Sequence, residues 1–440
     1  MRTFSVILFL SIAALPFVGM LTTPRPPVPP PGAASAETLA ILSPHRREVR
    51  LEYSRGFREW MQARHGRPVD ILWLDVGGTS KILKDLESRF TTSPNAPGVD
   101  LLFGGGIAPY LTAIQQNWIA PLPLAPDTLA DIPPLCAGAP VYDTSNRWYG
   151  VALSSFGILY NRPLVERLKL PPPADWSDLA RPEYFSWVGS GDPRSSGSVH
   201  MCYEIILQAY GFEAGWSLIT RICANVRGFG EAGGTVPREV AAGDIAAGMV
   251  IDQYAQTVIR SVGEDALVLV LPKQHTMIGP DAIAMIRGTR RPDLCRAFVE
   301  FALSREGQRL LYQPAGTNGQ LHSLYRMPVA KSCYGDPDAP RPNPYDFPAS
   351  LEYDNAKGTR RWNILNDLMG VWLLDAHADL RRSWEQAIRM GCPPEQVQSL
   401  CEPPVSEEEL YQLIPRWGET RFRQDIMRQW SQAARERYRN

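Results

Sequence analysis

The sequence predicts an α/β protein of two lobes followed by a mostly helical extension. Three observations carry that expectation. From residue 38 onward, short apolar runs alternate with stretches of helical periodicity, the pattern of a doubly wound parallel sheet. Each run ends in small or hydroxylated residues that open a helix, and the rhythm restarts after a strand-like segment at 148–160. Composition agrees, since 44% of the 440 residues are hydrophobic and 21% charged, enough apolar material for large cores.

Residues 38–42 read as a buried strand. Ser43 follows as an N-cap with Pro44 at the first helical position, and Tyr53, Phe57, Trp60 and Met61 form the apolar stripe of the helix. A second strand at 69–74 leads through Gly77-Gly78-Thr79-Ser80 into a helix striped by Ile82, Leu83, Leu86 and Phe90. A third, at 99–103, ends in Gly104-Gly105-Gly106 before a helix carrying Tyr110, Leu111 and Ile114. Ligands of such sheets sit beyond the carboxyl ends of the strands, so three helix N-termini are expected to converge there. After the crossing at 148–160 come a strand at 185–188, a helix opened by residues 192–198, and a strand at 246–251 ending at Asp252-Gln253-Tyr254. A further strand at 266–271 precedes 278–286, which returns to the first lobe, and helices around 298–311 finish it. Two crossings between two lobes make a hinge.

Beyond 325, a proline-rich stretch at 335–349 precedes helical patterns at 359–390. A capping box from Ser406 to Glu409 opens a short helix that stops at Pro415, and an Arg-rich amphipathic helix with Phe422, Ile426, Met427 and Trp430 closes the chain. The expected division is 1–36 as signal or anchor plus linker, 37–150 and 276–325 as lobe 1, 151–275 as lobe 2, and 326–440 as the extension.

The N-terminus has the pattern of an export signal: Met1-Arg2-Thr3, an uncharged apolar run at 4–21, a proline tract at 24–31 and the small residues Ala34-Ser35-Ala36. Left uncut, the run is just long enough to span a bilayer. Either way the body is expected to be periplasmic or extracytoplasmic. A net charge of -1, from 45 basic against 46 acidic residues, lacks the broad positive footprint of a nucleic-acid binder. Seven cysteines without a C-x-x-C pair argue against zinc or iron–sulfur ligation, and no cofactor is expected. In an oxidising compartment Cys392 and Cys401 are the favoured bridge, whereas Cys202 and Cys223 fall in apolar helical patterns and read as core. His200 and Glu204, at i, i+4 spacing, read as a satisfied pair rather than metal ligands, because no third ligand accompanies them.

The segments Trp176-Ser177-Asp178-Leu179, Pro182-Glu183-Tyr184 and 192–198 resemble extracellular solute-binding proteins of ABC importers, in the branch that includes ferric-iron binders. The likeness extends to residues 150–161, to Gly279-Pro280-Asp281-Ala282-Ile283-Ala284 and to 298–308, so it covers roughly 38–320 and leaves the tail outside. The resemblance implies a monomeric, non-enzymatic clamp that closes on a small solute between its lobes and hands it to a membrane permease. His45 falls where iron-binding relatives place a histidine, and Tyr254 where they place the first of two adjacent tyrosines. Ala255 stands in place of the second, and Gly104-Gly105-Gly106 offers no carboxylate, so direct coordination of a hard ferric ion lacks anionic oxygens.

The reading is therefore a small anionic solute, phosphorylated or phosphonate-like, with or without an associated metal. Helix-start N–H groups at Gly78, Gly105 and Gly197, with the hydroxyls of Thr79, Ser80, Ser195, Ser196 and Ser198, would take the anion. Ser43, His45, Ser154 and Ser155 complete the candidate set, Asp252 would address a hydroxyl, amine or cation of the ligand, and Tyr254 would stack or donate. Alternatives are a ferric-iron binder, a membrane-anchored sensor, or an extracytoplasmic enzyme on the same scaffold. No G-x-S-x-G, H-E-x-x-H or G-x-x-x-x-G-K-[ST] supports the last.

Overall fold

A computed structural model describes residues 37–440 apart from 78, 232, 341–342, 348–350 and 440, and leaves the side chains of Thr79 and Ser80 undescribed. The apolar run, the proline tract, Ala34-Ser35-Ala36 and Gly78 thus lie outside the described residues, in which no helix is long and apolar enough to cross a membrane. Residues 38–440 form one compact unit.

The first half begins β1 (Glu37–Leu42), α1 (Arg47–His65), β2 (Val69–Leu74), α2 (Thr79–Thr92), β3 (Leu101–Phe103) and α3 (Ala108–Gln115). The apolar stripe of α1 is buried as expected, and Gly66, at φ 68, ends the helix by donating its N–H to Gln62 O at 3.1 Å. The start of α1 differs from expectation. Ser43 still pairs with the sheet through its N–H to Leu74 O, so the chain cannot turn into a helix there, and Arg46 holds the cap position. The Ser43 hydroxyl turns inward instead, accepting the backbone N–H of His45 at 3.2 Å.

Short strands β4 (Ile119–Ala120), β5 (Leu135–Cys136) and β6 (Ala139–Pro140) lead to β7 (Tyr149–Asn161), thirteen residues long and buried almost throughout. The second half follows as α4 (Arg162–Arg167), β8 (Val188–Gly191), α5 (Gly197–Tyr210), α6 (Phe212–Asn225), β9 (Val226–Gly230), α7 (Thr235–Ala242), β10 (Ala247–Ile251), α8 (Asp252–Val262) and β11 (Leu267–Val270). β12 (Ile278–Ile286) returns to the first half, which α9 (Pro292–Leu303), α10 (Arg305–Arg309) and β13 (Met327–Pro328) complete.

The two separate parallel sheets expected from the sequence are one mixed sheet, in the order β2-β1-β3-β12-β7-β10-β8-β9. Within each half neighbours run parallel, as in β1–β3 and β10–β8–β9. The seam is antiparallel because the crossing strands themselves join the sheet. Residues 149–155 of β7 pair with β12, and 156–161 of the same strand pair with β10 and β11. Apolar cores nevertheless lie on either side of this seam, one around Tyr53, Phe57, Phe103 and Phe298, the other around Trp176, Tyr203 and Trp216.

The extension comprises α11 (Asn355–Met369), a π turn at Gly370–Leu374, α12 (His377–Arg389), α13 (Pro394–Cys401), α14 (Glu407–Leu413) and α15 (Thr420–Arg439). Its Ile364, Leu365, Trp372, Trp384 and Trp430 share one apolar cluster with the second half, so it is part of that core. Both halves of the Ser406–Glu409 capping box form, at 2.8 and 3.2 Å. Cys392 and Cys401 do not pair. Cys401 is buried in the shared core, while Cys392 sits half-buried in a left-handed turn at φ 55, and all seven thiols are free. Burial pushes the Cys223 thiol up to about 12, consistent with its reading as inert core.

Candidate functional site

A cavity of about 380 Å³ opens at the seam, where Ser154 and Phe156 of β7 lie beside Met277 and Gly279 at the start of β12. That volume is within the range of small-molecule sites, roughly 300–1,000 Å³, and exceeds what a bare ion needs. Residues at or just before the starts of α1, α3, α5 and α8 border it.

The first-half wall is a closed electrostatic circuit. His45 Nδ1 lies 3.0 Å from Ser43 Oγ, and Nε2 lies 2.8 Å from Asp281 Oδ2. Arg326 bonds the same carboxylate oxygen, and the other oxygen accepts the Gly106 N–H at 3.2 Å. Burial lowers the His45 pKa, so the ring is neutral, and its Nε2 lies 2.9 Å from Arg326 Nη1 as well as beside Asp281. Although burial opposes it, the combined pull of Arg326 and His45 holds Asp281 well below the usual carboxylate range. Arg326 is 3% exposed, and its Nε has no partner among the described residues. Gly104 is obligatory here: at φ 100, a Cβ would meet the His45 ring at 2.7 Å.

Arg46 stands apart from this circuit. Its guanidinium carbon lies 5.2 Å from the centroid of the Tyr254 ring, linking first half to second across the cavity, and it forms no ion pair among the described residues.

The second-half wall is made of hydroxyls and helix starts. Ser196 caps α5, accepting the Val199 N–H at 3.5 Å, and its Oγ lies 3.2 Å from that of Ser198. Both hydroxyls crowd against Gly233, where a Cβ would lie 2.5 Å from Ser198 Oγ and 3.0 Å from Ser196 Oγ. Gly228 and Gly230 of β9 and Gly233 in the turn after it have G-x-G-x-x-G spacing, which corrects the expectation from the sequence that no such pattern follows a strand.

Of the residues expected at a site, His45, Gly105, Ser154, Ser195, Ser196, Gly197, Ser198 and Tyr254 line the cavity. The Ser195 hydroxyl is already engaged, donating to Glu231 O at 2.5 Å. Ser43, Ser155 and Asp252 are buried behind the lining: Ser43 orients His45, and the Asp252 carboxylate takes the backbone N–H of Ser155. Burial raises Asp252 from 3.8 to about 7, and its Oδ1 has no partner among the described residues. Gly78 and the Thr79 and Ser80 side chains lie outside the described residues. The sequence reading missed Arg46, Asp281 and Arg326. Asp281 carried a signal, being the sole charge within the apolar strand 278–286.

The chain is similar to known proteins in sequence and fold. A sequence profile described as bacterial extracellular solute-binding protein matches residues 97–316, and the chain belongs to that family of non-enzymatic solute-binding proteins. It is 33% identical over 161 residues to the phosphoglycerate transport regulatory protein PgtC of Salmonella typhimurium, a match covering 37% of this chain and 40% of that protein's length. Among solved structures, the fold is similar to the periplasmic binding protein AfuA of Actinobacillus pleuropneumoniae with fructose-6-phosphate bound, at TM-score 0.60 and 20% identity over 81% of this chain and 100% of the other. It is also similar to iron-bound HitA of Pseudomonas aeruginosa, at TM-score 0.54 and 20% identity over 74% and 99%. These likenesses show a type II periplasmic-binding-protein fold.

Proposed function

We propose that this protein captures a small anionic solute, phosphorylated or phosphonate-like, between two lobes (37–150 with 276–325, and 151–275) that hinge about β7 and the 271–278 crossing. It delivers the solute outside the cytoplasm to an ABC permease, with residues 1–36 serving as export signal or anchor. The carrying observation is Arg46, a cleft guanidinium that no carboxylate neutralises among the described residues. Opposite it, the α5 start and the Ser196 and Ser198 hydroxyls supply donors for the same anion. A ligand touching both walls stabilises the closed state by its differential affinity for it. The relatives support the class, one being a phosphoglycerate transport regulatory protein and one holding fructose-6-phosphate. Ferric iron fits less well, because both His45 nitrogens are occupied by Ser43 and Asp281 and Tyr254 is followed by the buried Ala255.

A thermal-shift series with 3-phosphoglycerate, a hexose 6-phosphate, inorganic phosphate and ferric citrate tests the reading. A saturable rise in midpoint is expected with a phosphate ester. A rise with ferric citrate alone would replace this conclusion with the iron reading. That relative's designation as a transport regulatory protein favours a second reading, a ligand sensor held at the membrane. Mass spectrometry of the exported protein separates the two, since an importer's soluble clamp loses its N-terminal run and a tethered sensor keeps it.

A further inference from the structure

Three residues of the C-terminal extension, Tyr353, Asn355 and Trp362, line the cavity. α11, which carries Asn355 and Trp362, is bound to the second half along the length of α5, the helix whose start carries Ser196 and Ser198. Gln208 of α5 grips the backbone of Asp354 from both sides, its Oε1 accepting the N–H at 2.7 Å and its Nε2 donating to the carbonyl at 3.0 Å. Glu204 forms a fully buried bidentate pair with Arg361, which also bonds Glu407 of α14. His200 Nδ1 meets Asn366 Oδ1 at 2.7 Å, and its ring lies on Trp362 with centroids 3.6 Å apart. The i, i+4 pair His200 and Glu204 is therefore the clasp that fixes the extension to α5. Tyr353 donates its hydroxyl to Met201 Sδ at 3.6 Å, and Gly358 leaves it room, since a Cβ there would lie 2.4 Å from that hydroxyl. From this fixed base α11 reaches across the cavity mouth and packs on α3 of the first half.

We propose that the extension is a third wall of the ligand site, in which Trp362 and Tyr353 contact the uncharged body of the ligand and select for solutes that have one. This rests on the anionic-solute reading above. The lining carries two kinds of surface: Arg46 and the α5 hydroxyls address an anionic group, whereas Trp362, Tyr353, Phe156 and Met277 present rings and apolar surface without charge. An aromatic face covers the C–H face of a polyol or sugar ring but gives a bare tetrahedral oxyanion nothing. The matching ligand is a phosphate ester of a small carbon skeleton rather than inorganic phosphate. Because α11 is clasped to α5 and, among the described residues, meets α3 by packing alone, it travels with the second half and closes the mouth when the halves approach.

Calorimetric titration of the purified protein with a hexose 6-phosphate and, separately, with inorganic phosphate tests this. Trp362→Leu is expected to weaken the ester about tenfold, the value of one lost ring contact, and to leave inorganic phosphate within about twofold. Trp362→Phe should restore most of the ester affinity. Tyr353→Leu, read the same way, guards against misfolding of the Trp362→Leu protein, which its thermal midpoint reveals. Ester binding unchanged in folded Trp362→Leu and Tyr353→Leu proteins would reduce the extension to scaffold and overturn the inference, while leaving the anion reading intact. Arg46→Gln distinguishes the failures: it should weaken both probes, and if it weakens neither, or if wild type binds neither, the anion reading falls and this inference with it.

Discussion

The two facing walls of the cleft use polar groups in opposite ways. On the first-half wall, Ser43, His45, Asp281 and Arg326 satisfy one another, so their charges set the shape and potential of the wall rather than waiting for a ligand. On the second-half wall, Ser196 and Ser198 touch little besides each other and a helix start, and remain available to a ligand. The difference teaches that a charged residue in the cleft is not thereby a ligand. Arg46, the cation left outside the circuit, has its whole guanidinium to give, whereas Arg326 keeps only its Nε without a partner among the described residues.

Breaking the circuit should have the largest effect. Asp281→Asn leaves the Arg326 guanidinium buried without its counter-charge, and about 3–5 kcal/mol of stability should be lost in denaturant titration. A loss below about 1 kcal/mol would mean that the circuit does not hold the wall.

Next in size is a proton-linked effect behind the walls. Asp252 titrates near 7 in the folded protein against an ordinary value of 3.8, because burial penalises its charged form. Such a raised carboxyl contributes stability that is present below its unfolded value and lost as pH climbs to about 7. Asp252→Asn is therefore expected to gain on the order of 2 kcal/mol at pH 8 and nothing at pH 3. An equal effect at both pH values would remove Asp252 titration from the account. His200 and His377, held neutral by burial with values near 3 and 4, work in the opposite direction. Their stabilisation is full above about pH 6.5 and declines as pH falls towards those values.

Disturbing the open wall should affect binding more than folding. Gly233→Ala places a methyl against both hydroxyls, and phosphate-ester affinity should fall about tenfold for about 1 kcal/mol of stability. A full-affinity Gly233→Ala protein would show that the serine positions are not used. Ser198→Ala, the mildest change, should weaken the ester roughly fivefold with an unchanged unfolding midpoint, the value of about one hydrogen bond.

Much of this was legible in the sequence. The strand–helix alternation located the main strands and helices of the first half and the α5 helix of the second, but left α6, β9, α7 and α8 unplaced, and the hydroxyl run at 195–198 led to the cavity. Local patterns could not reveal that β7 and β12 would fuse the halves into one mixed sheet, because strand direction at a seam depends on which distant partner is met. Nor could they show what Asp281 and Arg326 do, since their pairing spans 45 residues of chain and depends on the return of β12. Ser43 looked like a cap because serine before proline at a strand end usually is one, but a sheet hydrogen bond overrode it. The extension gave no sign of its place in the cleft, since Trp362 lies in a pattern that reads only as helix and Tyr353 falls between that pattern and the proline-rich stretch.

The central claim is that Arg46 supplies the free positive charge that draws an anion between the two walls. Calorimetric titration of wild type and Arg46→Gln with 3-phosphoglycerate, at low and moderate salt, tests it most directly. The expected result is one-site binding by wild type that weakens with salt and falls about ten- to a hundredfold in Arg46→Gln, the worth of one charged hydrogen bond. Equal affinities in the two proteins would contradict the account.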